Sequence, residues 1–217
     1  MTTALKEKAE EEVATDTTFA FSPRQFAAIQ RLTTFCTVPK DSRPILESVN
    51  FNRHDGMLRL EATDSYSLTT MEFPELTNDF IPFQVPAVLL NRVKLSAKAI
   101  KQDGYTPGSG PAIIVTYWGE SKSATVSYDG ATFTESVESF GQYPSLQHVL
   151  DRIPEEPVEM GVIGLNPVFL AKIGKFFQNE TLRFKFAGET AVTITNHAVF
   201  SGLKINATAY LMPVRIQ

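Results

Sequence analysis

Apolar and polar positions along the chain repeat one pattern three times. Each pass opens with a short apolar strand, crosses an X-Pro step into an amphipathic helix, and then alternates with period two through antiparallel strands. In the first pass Phe19-Ala20-Phe21-Ser22 leads into Pro23. Ser22 can cap the helix and Pro23 suits its first position, so a helix is predicted to about Phe35. In the second, Phe83-Gln84-Val85 leads into Pro86 and a helix to about Ile100. In the third, Val162-Ile163-Gly164-Leu165, with Asn166 as cap and then Pro167, leads into a helix ending near Phe177.

Between the helices the chain turns as antiparallel sheet does. Val49 and Phe51 precede Asp55-Gly56 while Leu58 and Leu60 come after it, the signature of a tight hairpin. Residues 112–118 and 124–128, the turn Asp129-Gly130 and residues 132–138 make a second group. Leu182, Phe184, Phe186, Val192, Ile194, Leu203 and Ile205 make a third. Residues 102–111, with three glycines and two prolines, read as a long loop inside one pass. Three helices against at least nine strands predict an α+β class with helices covering one face of antiparallel sheets.

Composition narrows the function. A chain of 217 residues can bury roughly 70% of the surface its unfolded form exposes. Its one cysteine, Cys36, excludes an intramolecular disulfide and a thiolate-rich metal site, which fits a reducing cytoplasm. No apolar run approaches a membrane span, and the start lacks the order of a secretion signal. Gly108-Ser109-Gly110 lacks the strand and helix context of a phosphate loop, and His54, His148 and His197 are isolated from one another. No catalytic residue, metal or cofactor is therefore expected.

Charge is segregated. Two lysines against five acids within residues 1–17 account for −3 of the net −4, which marks that stretch as an acidic tail outside the core and leaves the body nearly neutral. None of the three predicted helices contains Asp or Glu. Arg24, Ala28 and Arg31 share a face of the first, opposite the stripe Phe26, Ile29 and Leu32 or Thr33. Lys94, Lys98 and Lys101 line up on the second, against buried Leu89, Val93 and Ile100. Lys172 and Lys175 share a face of the third, against Phe169, Ile173 and Phe176 or Phe177. Such faces either merely solvate helices or track a phosphate backbone without reading bases.

Three segments in register resemble the bacterial sliding clamp, the DNA polymerase III beta subunit. Arg43-Pro44-Ile45-Leu46-Glu47-Ser48-Val49-Asn50-Phe51, continued by Asp55-Gly56-Met57-Leu58-Arg59-Leu60-Glu61-Ala62-Thr63-Asp64-Ser65-Tyr66-Ser67-Leu68, resembles that family's middle-domain hairpin with its ATDGHRLA-like ending. Gly141-Gln142-Tyr143-Pro144-Ser145-Leu146-Gln147-His148-Val149-Leu150 is similar to its GRFPDYRRVLP segment. Ala209-Tyr210-Leu211-Met212-Pro213-Val214-Arg215-Ile216 is similar to its terminal YVVMPMRL.

The resemblance implies a DNA clamp fold, with antiparallel sheets outside and helices facing double-stranded DNA. DNA-facing residues would be Arg24, Arg31, Lys94, Lys98, Lys101, Lys172 and Lys175. It also implies a pocket for short partner motifs with a glutamine and apolar anchors. Its walls would be Leu46, Thr63, Ser65, Tyr66, Ser67, Leu68, Pro144, Val149, Leu211, Met212, Pro213, Val214 and Arg215. Ser65-Tyr66-Ser67 stands where the family often has Gly-His-Arg. The expected organisation is a tail at 1–17, a complete two-module clamp domain at 18–153 and a single module at 154–217. A chain of three modules rather than six is expected to form a homo-oligomeric ring, four copies supplying twelve, and to act in a bacterial or phage-infected cell. Partners would be a polymerase, other clamp-motif proteins and a clamp loader. The alternative is a clamp-like peptide-binding module that never encircles DNA.

Overall fold

Side-chain caps and a proline at the first helical position set the start of the two longest helices. Before α1 (Pro23–Leu32), Ser22 Oγ accepts from Gln25 N at 3.1 Å and Gln25 Oε1 accepts from Ser22 N at 3.0 Å. Asn166 Oδ1 accepts from Val168 N at 2.9 Å, ahead of the helix Pro167–Phe176. The computed structural model describes residues 16–37, 43–101, 112–138, 141–154, 163–178, 180–186, 190–196, 200 and 202–214. The acidic tail up to residue 15, the loop 102–111 and Arg215 lie outside them.

The second predicted helix is broken. It consists of α2 (Ala87–Leu90), a turn, and α3 (Ala97–Lys101), so Lys94 is not on a helix with Lys98 and Lys101. Val93 is buried between the two pieces, and Ser96 Oγ restarts the helix by accepting from Ala99 N at 3.1 Å. The break is stabilised from α1, whose Gln30 Nε2 donates to Leu90 O at 3.0 Å and to Val93 O at 2.8 Å. Ala28, expected on the exposed face of α1, is fully buried. The first helix ends at Leu32 and continues as a short 3-10 turn over Thr33–Phe35.

Among the described residues, eleven strands form two antiparallel sheets. β1 (Thr17–Phe21) lies beside β6 (Ile113–Trp118), which continues through β7 (Ser123–Tyr128) to β8 (Ala131–Ser136). The other sheet runs β5-β2-β3-β4-β11-β10-β9, with β2 (Ser48–His54), β3 (Met57–Thr63), β4 (Ser67–Phe73), β5 (Phe83–Pro86), β9 (Arg183–Lys185), β10 (Val192–Thr195) and β11 (Asn206–Leu211). The strand before α1 therefore joins the strands of the second pass, and the strand before α2 joins those of the first. The exchange is reciprocal: each pass lends its leading strand to the other's sheet. The third pass adds β11 to β4 and so extends the first pass's sheet. Both hairpins predicted at Asp-Gly are present, with positive φ at Asp55, Gly56, Asp129 and Gly130. Leu203 lies in a turn and Ile205 is buried just ahead of β11, not in a separate strand.

The inner faces of the two sheets meet the helices in one apolar core. Phe83 of β5 stacks on Phe51 at 4.9 Å and on Tyr117 at 5.0 Å, so the exchanged strand ties both sheets together. Strict alternation fails in β3 because its outer face is covered as well. There Arg59 and Glu61 form a buried pair at 2.7 Å, 4% and 1% exposed. Asn50 Nδ2 at 2.8 Å and Asn52 Nδ2 at 3.2 Å donate to the same carboxylate, so the charge is well satisfied. Replacing Glu61 by Ala should strand the guanidinium and cost about 3–5 kcal/mol, read as a lower urea midpoint with an unchanged slope.

Candidate functional site

Pleating divides the expected pocket wall between two faces. Leu68 pairs with Tyr210 across β4 and β11, and Thr63 with Leu68 across β3 and β4. These three point outward, opposite to the core-facing pair Ser67 and Leu211. Leu68 packs with Tyr143 and Leu146 in a small second cluster, joined at its edge by Ile45, Leu150 and Tyr210. Residues 141–150, ending in α4 (Gln147–Leu150), thus lie over the outer face of the sheet. Gln84 Nε2 holds them there by donating to Gly141 O at 2.6 Å, and Tyr143 Oη donates to Glu61 O at 3.5 Å.

The turn between β3 and β4 presents the most exposed of the expected residues. Asp64 Oδ1 accepts from Tyr66 N at 3.0 Å, Ser67 N at 2.7 Å and Ser67 Oγ at 2.9 Å. Thr63 Oγ1 donates to Ser67 O at 2.8 Å and accepts from Ser65 N at 3.1 Å. Ser65 takes a positive φ of 75° in this turn, and Arg43 donates to its hydroxyl at 3.3 Å. Tyr66 is left 62% exposed, stacked on Phe169 at 5.4 Å. Phe169 belongs to α5 (Pro167–Phe176), and helical spacing, which assigns it to the core, gives no sign of its place at the turn. Met212 N donates to Tyr66 O at 3.1 Å and Val214 N to Gly164 O at 2.8 Å, drawing the end of β11 along the same turn.

Tyr66, Met212 and Val214 leave apolar side chains exposed along this turn and the end of β11. Tyr66, Val149, Val168, Met212 and Val214 are five of the eight large hydrophobic residues left exposed among the described residues. Pro144 is exposed and Pro213 half-buried. Leu46, Ser67 and Leu211 are buried and can only support this surface from below. Thr63 and Leu68 are nearly buried and form its floor. A separate polar cleft of about 390 Å³ opens on the other flank of residues 141–147, lined by Asn50, Asn52, Arg59, Glu61 and Gln84. Of the expected wall, only Pro144 reaches it.

The basic residues fall into two groups. Arg24, Arg31 and Lys101 line one hollow of about 550 Å³ between α1 and α3. Lys94, Lys98 and Lys175 are exposed. Arg31, however, is turned inward as a link between helices: Nη1 donates to Phe176 O at 3.2 Å, and the guanidinium lies 5.1 Å from the Phe200 ring centre. Burial lowers its pKa. Lys172 also points inward. Its Nζ pairs with Asp64 Oδ2 and sits 5.3 Å from the Phe35 ring centre, with only 23% of the side chain exposed. The two lysines expected to share a face of α5 therefore do different work.

No protein-family model matches the chain, and no curated protein does. Solved structures do match. The DNA polymerase III subunit beta from Borrelia burgdorferi, solved with a natural product, superposes with a TM-score of 0.70 at 14% identity, over 97% of this chain and 67% of that one. The beta subunit from Thermotoga maritima gives 0.66 at 14% identity, over 92% and 66%. The sliding clamp from Bacillus subtilis gives 0.67 at 12% identity, over 98% and 68%. The chain has the sliding-clamp fold and spans about two thirds of the length of these proteins. No described helix is long and apolar enough to cross a membrane.

Two buried acids beneath the site set its response to alkali. Burial pushes the Cys36 thiol up to about 12, with Lys172 pulling down and Asp64 pushing up. Burial, with Cys36 and Glu61 near, raises the Tyr143 hydroxyl well above its ordinary range. Both groups stay protonated in the folded chain where the unfolded chain would lose the proton. Their stabilising contribution is whole below about pH 9 and falls as pH rises towards about 12. Urea midpoints should therefore hold from pH 7 to about 9 and then decline, with Cys36 alkylated only in parallel with unfolding.

Proposed function

We propose that this chain is a sliding-clamp protein that binds short peptide motifs of a DNA polymerase and other partners, and that encircles DNA as a homo-oligomer. The observation that carries the reading is the apolar surface around Tyr66, Phe169 and Met212, at the junction of β4, β11 and α5 on a clamp fold. Apolar side chains of a partner motif would fill that surface, and the polar turn at Thr63–Asp64–Ser65 would orient it. Arg215 is proposed as a further wall residue by the sequence resemblance alone. A clamp gains processivity from topology, so the DNA-facing contacts need only be weak and salt-sensitive. Arg24, Lys94, Lys98, Lys101 and Lys175 are the residues proposed for that task, whereas Arg31 and Lys172 turn inward.

The proposed organisation is a complete clamp domain over 18–153 and one further module over 154–217. The reciprocal exchange of β1 and β5 and the attachment of β11 to β4 support it. Four copies would supply the twelve modules of a ring, opened by a clamp loader. The inward use of Arg31 and Lys172 thins the basic surface, and favours as second reading a peptide-binding module that does not encircle DNA.

Two variants separate the readings. Tyr66→Ala should weaken a fluorescent peptide carrying glutamine and apolar anchors by about tenfold or more, as anisotropy measures it, with the fold intact by circular dichroism. Reversal of Lys94, Lys98 and Lys101 to Glu should leave that affinity unchanged and abolish stimulation of a clamp-dependent polymerase on primed circular DNA. Stimulation that survives the reversal would contradict the DNA-facing assignment. Unchanged peptide affinity in Tyr66→Ala would contradict the pocket.

A further inference from the structure

The third pass of the chain is built like the first but lacks the covering that completes it. In the first, β2 is flanked by β5, a strand supplied by the second pass, and Phe51 at the centre of β2 is fully buried against Phe83. β9 is the counterpart of β2, the first strand after the helix, and among the described residues is the outer strand of the seven-stranded sheet. Phe184 pairs with Ile194 as Phe51 pairs with Leu60, and both Ile194 and Leu60 are fully buried on the core face. Phe184 therefore also faces the core side, yet it is 40% exposed, stacked on Phe186 at 6.2 Å. Leu170 of α5, which stands in the helix where Phe26 stands in α1, is only half-buried, whereas Phe26 is fully buried.

Among the described residues, the segment ahead of α5 is short of strand partners in the same way. β1, just ahead of α1, pairs with β6 of its neighbour over five residues. Ile163, Gly164 and Leu165, just ahead of α5, make one isolated bridge, from Gly164 to Val214. Successive residues of a strand direct their polar groups to opposite edges, so Ile163 and Leu165 direct theirs away from Val214. The third pass thus presents an open apolar flank, an outer strand and a leading strand on one unit. These are the features that the first two passes exchange reciprocally.

We propose that the third pass is completed by the third pass of a second copy of this chain, related by a two-fold axis. β9 and Phe184 of each copy would receive Ile163 and Leu165 of the other. The occupant is a second copy because the reciprocal strand exchange between the first two passes already provides the template. A surface that both donates a strand and accepts one is self-complementary, which is the condition for an isologous interface. Pairing would also cover a sheet edge otherwise open to non-specific association. This deepens the oligomeric part of the proposed function and rests on its reading of 154–217 as a single clamp module. It does not require DNA to pass through a ring.

The test places a photo-crosslinking benzoylphenylalanine at Phe184 in the full-length chain. The expected product is a covalent dimer whose crosslink maps to residues 163–170 of the other copy. No dimer, or a crosslink that maps elsewhere, overturns the interface. In the unmodified chain, hydrogen exchange at residues 183–186 should slow between low and high micromolar concentration. Concentration-independent exchange there also overturns it. A mapped dimer that fails to stimulate the polymerase would uphold this interface and sink the ring. Stimulation without the crosslink would sink this interface alone.

Discussion

The pairing of β4 with β11 is the constraint on which the arrangement of the site depends. Six residue pairs, from Asn206 with Glu72 to Leu211 with Ser67, fix the last strand of the chain against a strand far away in sequence. Because side chains alternate across a sheet, a slip of one residue would move Tyr210 off the outer face and Leu211 out of the core. The register also sets the course of the chain beyond β11. Met212 arrives at Tyr66, Val214 at Gly164, and α5 comes close enough for Phe169 to stack on Tyr66. The apolar surface therefore exists only when distant parts of the chain meet.

Two basic side chains reinforce this junction from within. Lys172 joins α5 to the β3–β4 turn through Asp64, the same carboxylate that holds Tyr66 and Ser67. Arg31 reaches from α1 to the C-terminal carbonyl of α5, where a cation also suits the helix dipole. Both sites are shielded from water, so these links are screened less than surface pairs and hold helix and sheet in one geometry. The charges left exposed, Lys94, Lys98, Lys101 and Lys175, lie where solvent and salt reach them. Weak, salt-sensitive attraction is what the proposed sliding along phosphates would require of them.

Much of the fold was legible because its signals are local. Pro23 and Pro167 with their caps mark helix starts, and the two Asp-Gly turns mark hairpins, since each rests on the conformational preference of one or two residues. The break after Leu90 was not legible. It is stabilised by Gln30, sixty residues away, which bonds the carbonyls that an unbroken helix would have used itself. The site was legible as segments but not as a surface. Helical spacing cannot distinguish Lys172, paired with Asp64, from exposed Lys175, and it assigns Phe169 to the core where Tyr66 in fact awaits it. Ala28, a small residue expected on a face other than the buried stripe, is fully buried, which helical periodicity alone does not reveal.

The central claim is the proposal that this clamp-fold chain assembles with its own copies. Light scattering across a concentration series tests it most directly. The predicted result is a mass that rises to a plateau at a whole multiple of 24.1 kDa, four copies for a closed ring. A mass that stays at 24.1 kDa at every concentration would contradict it.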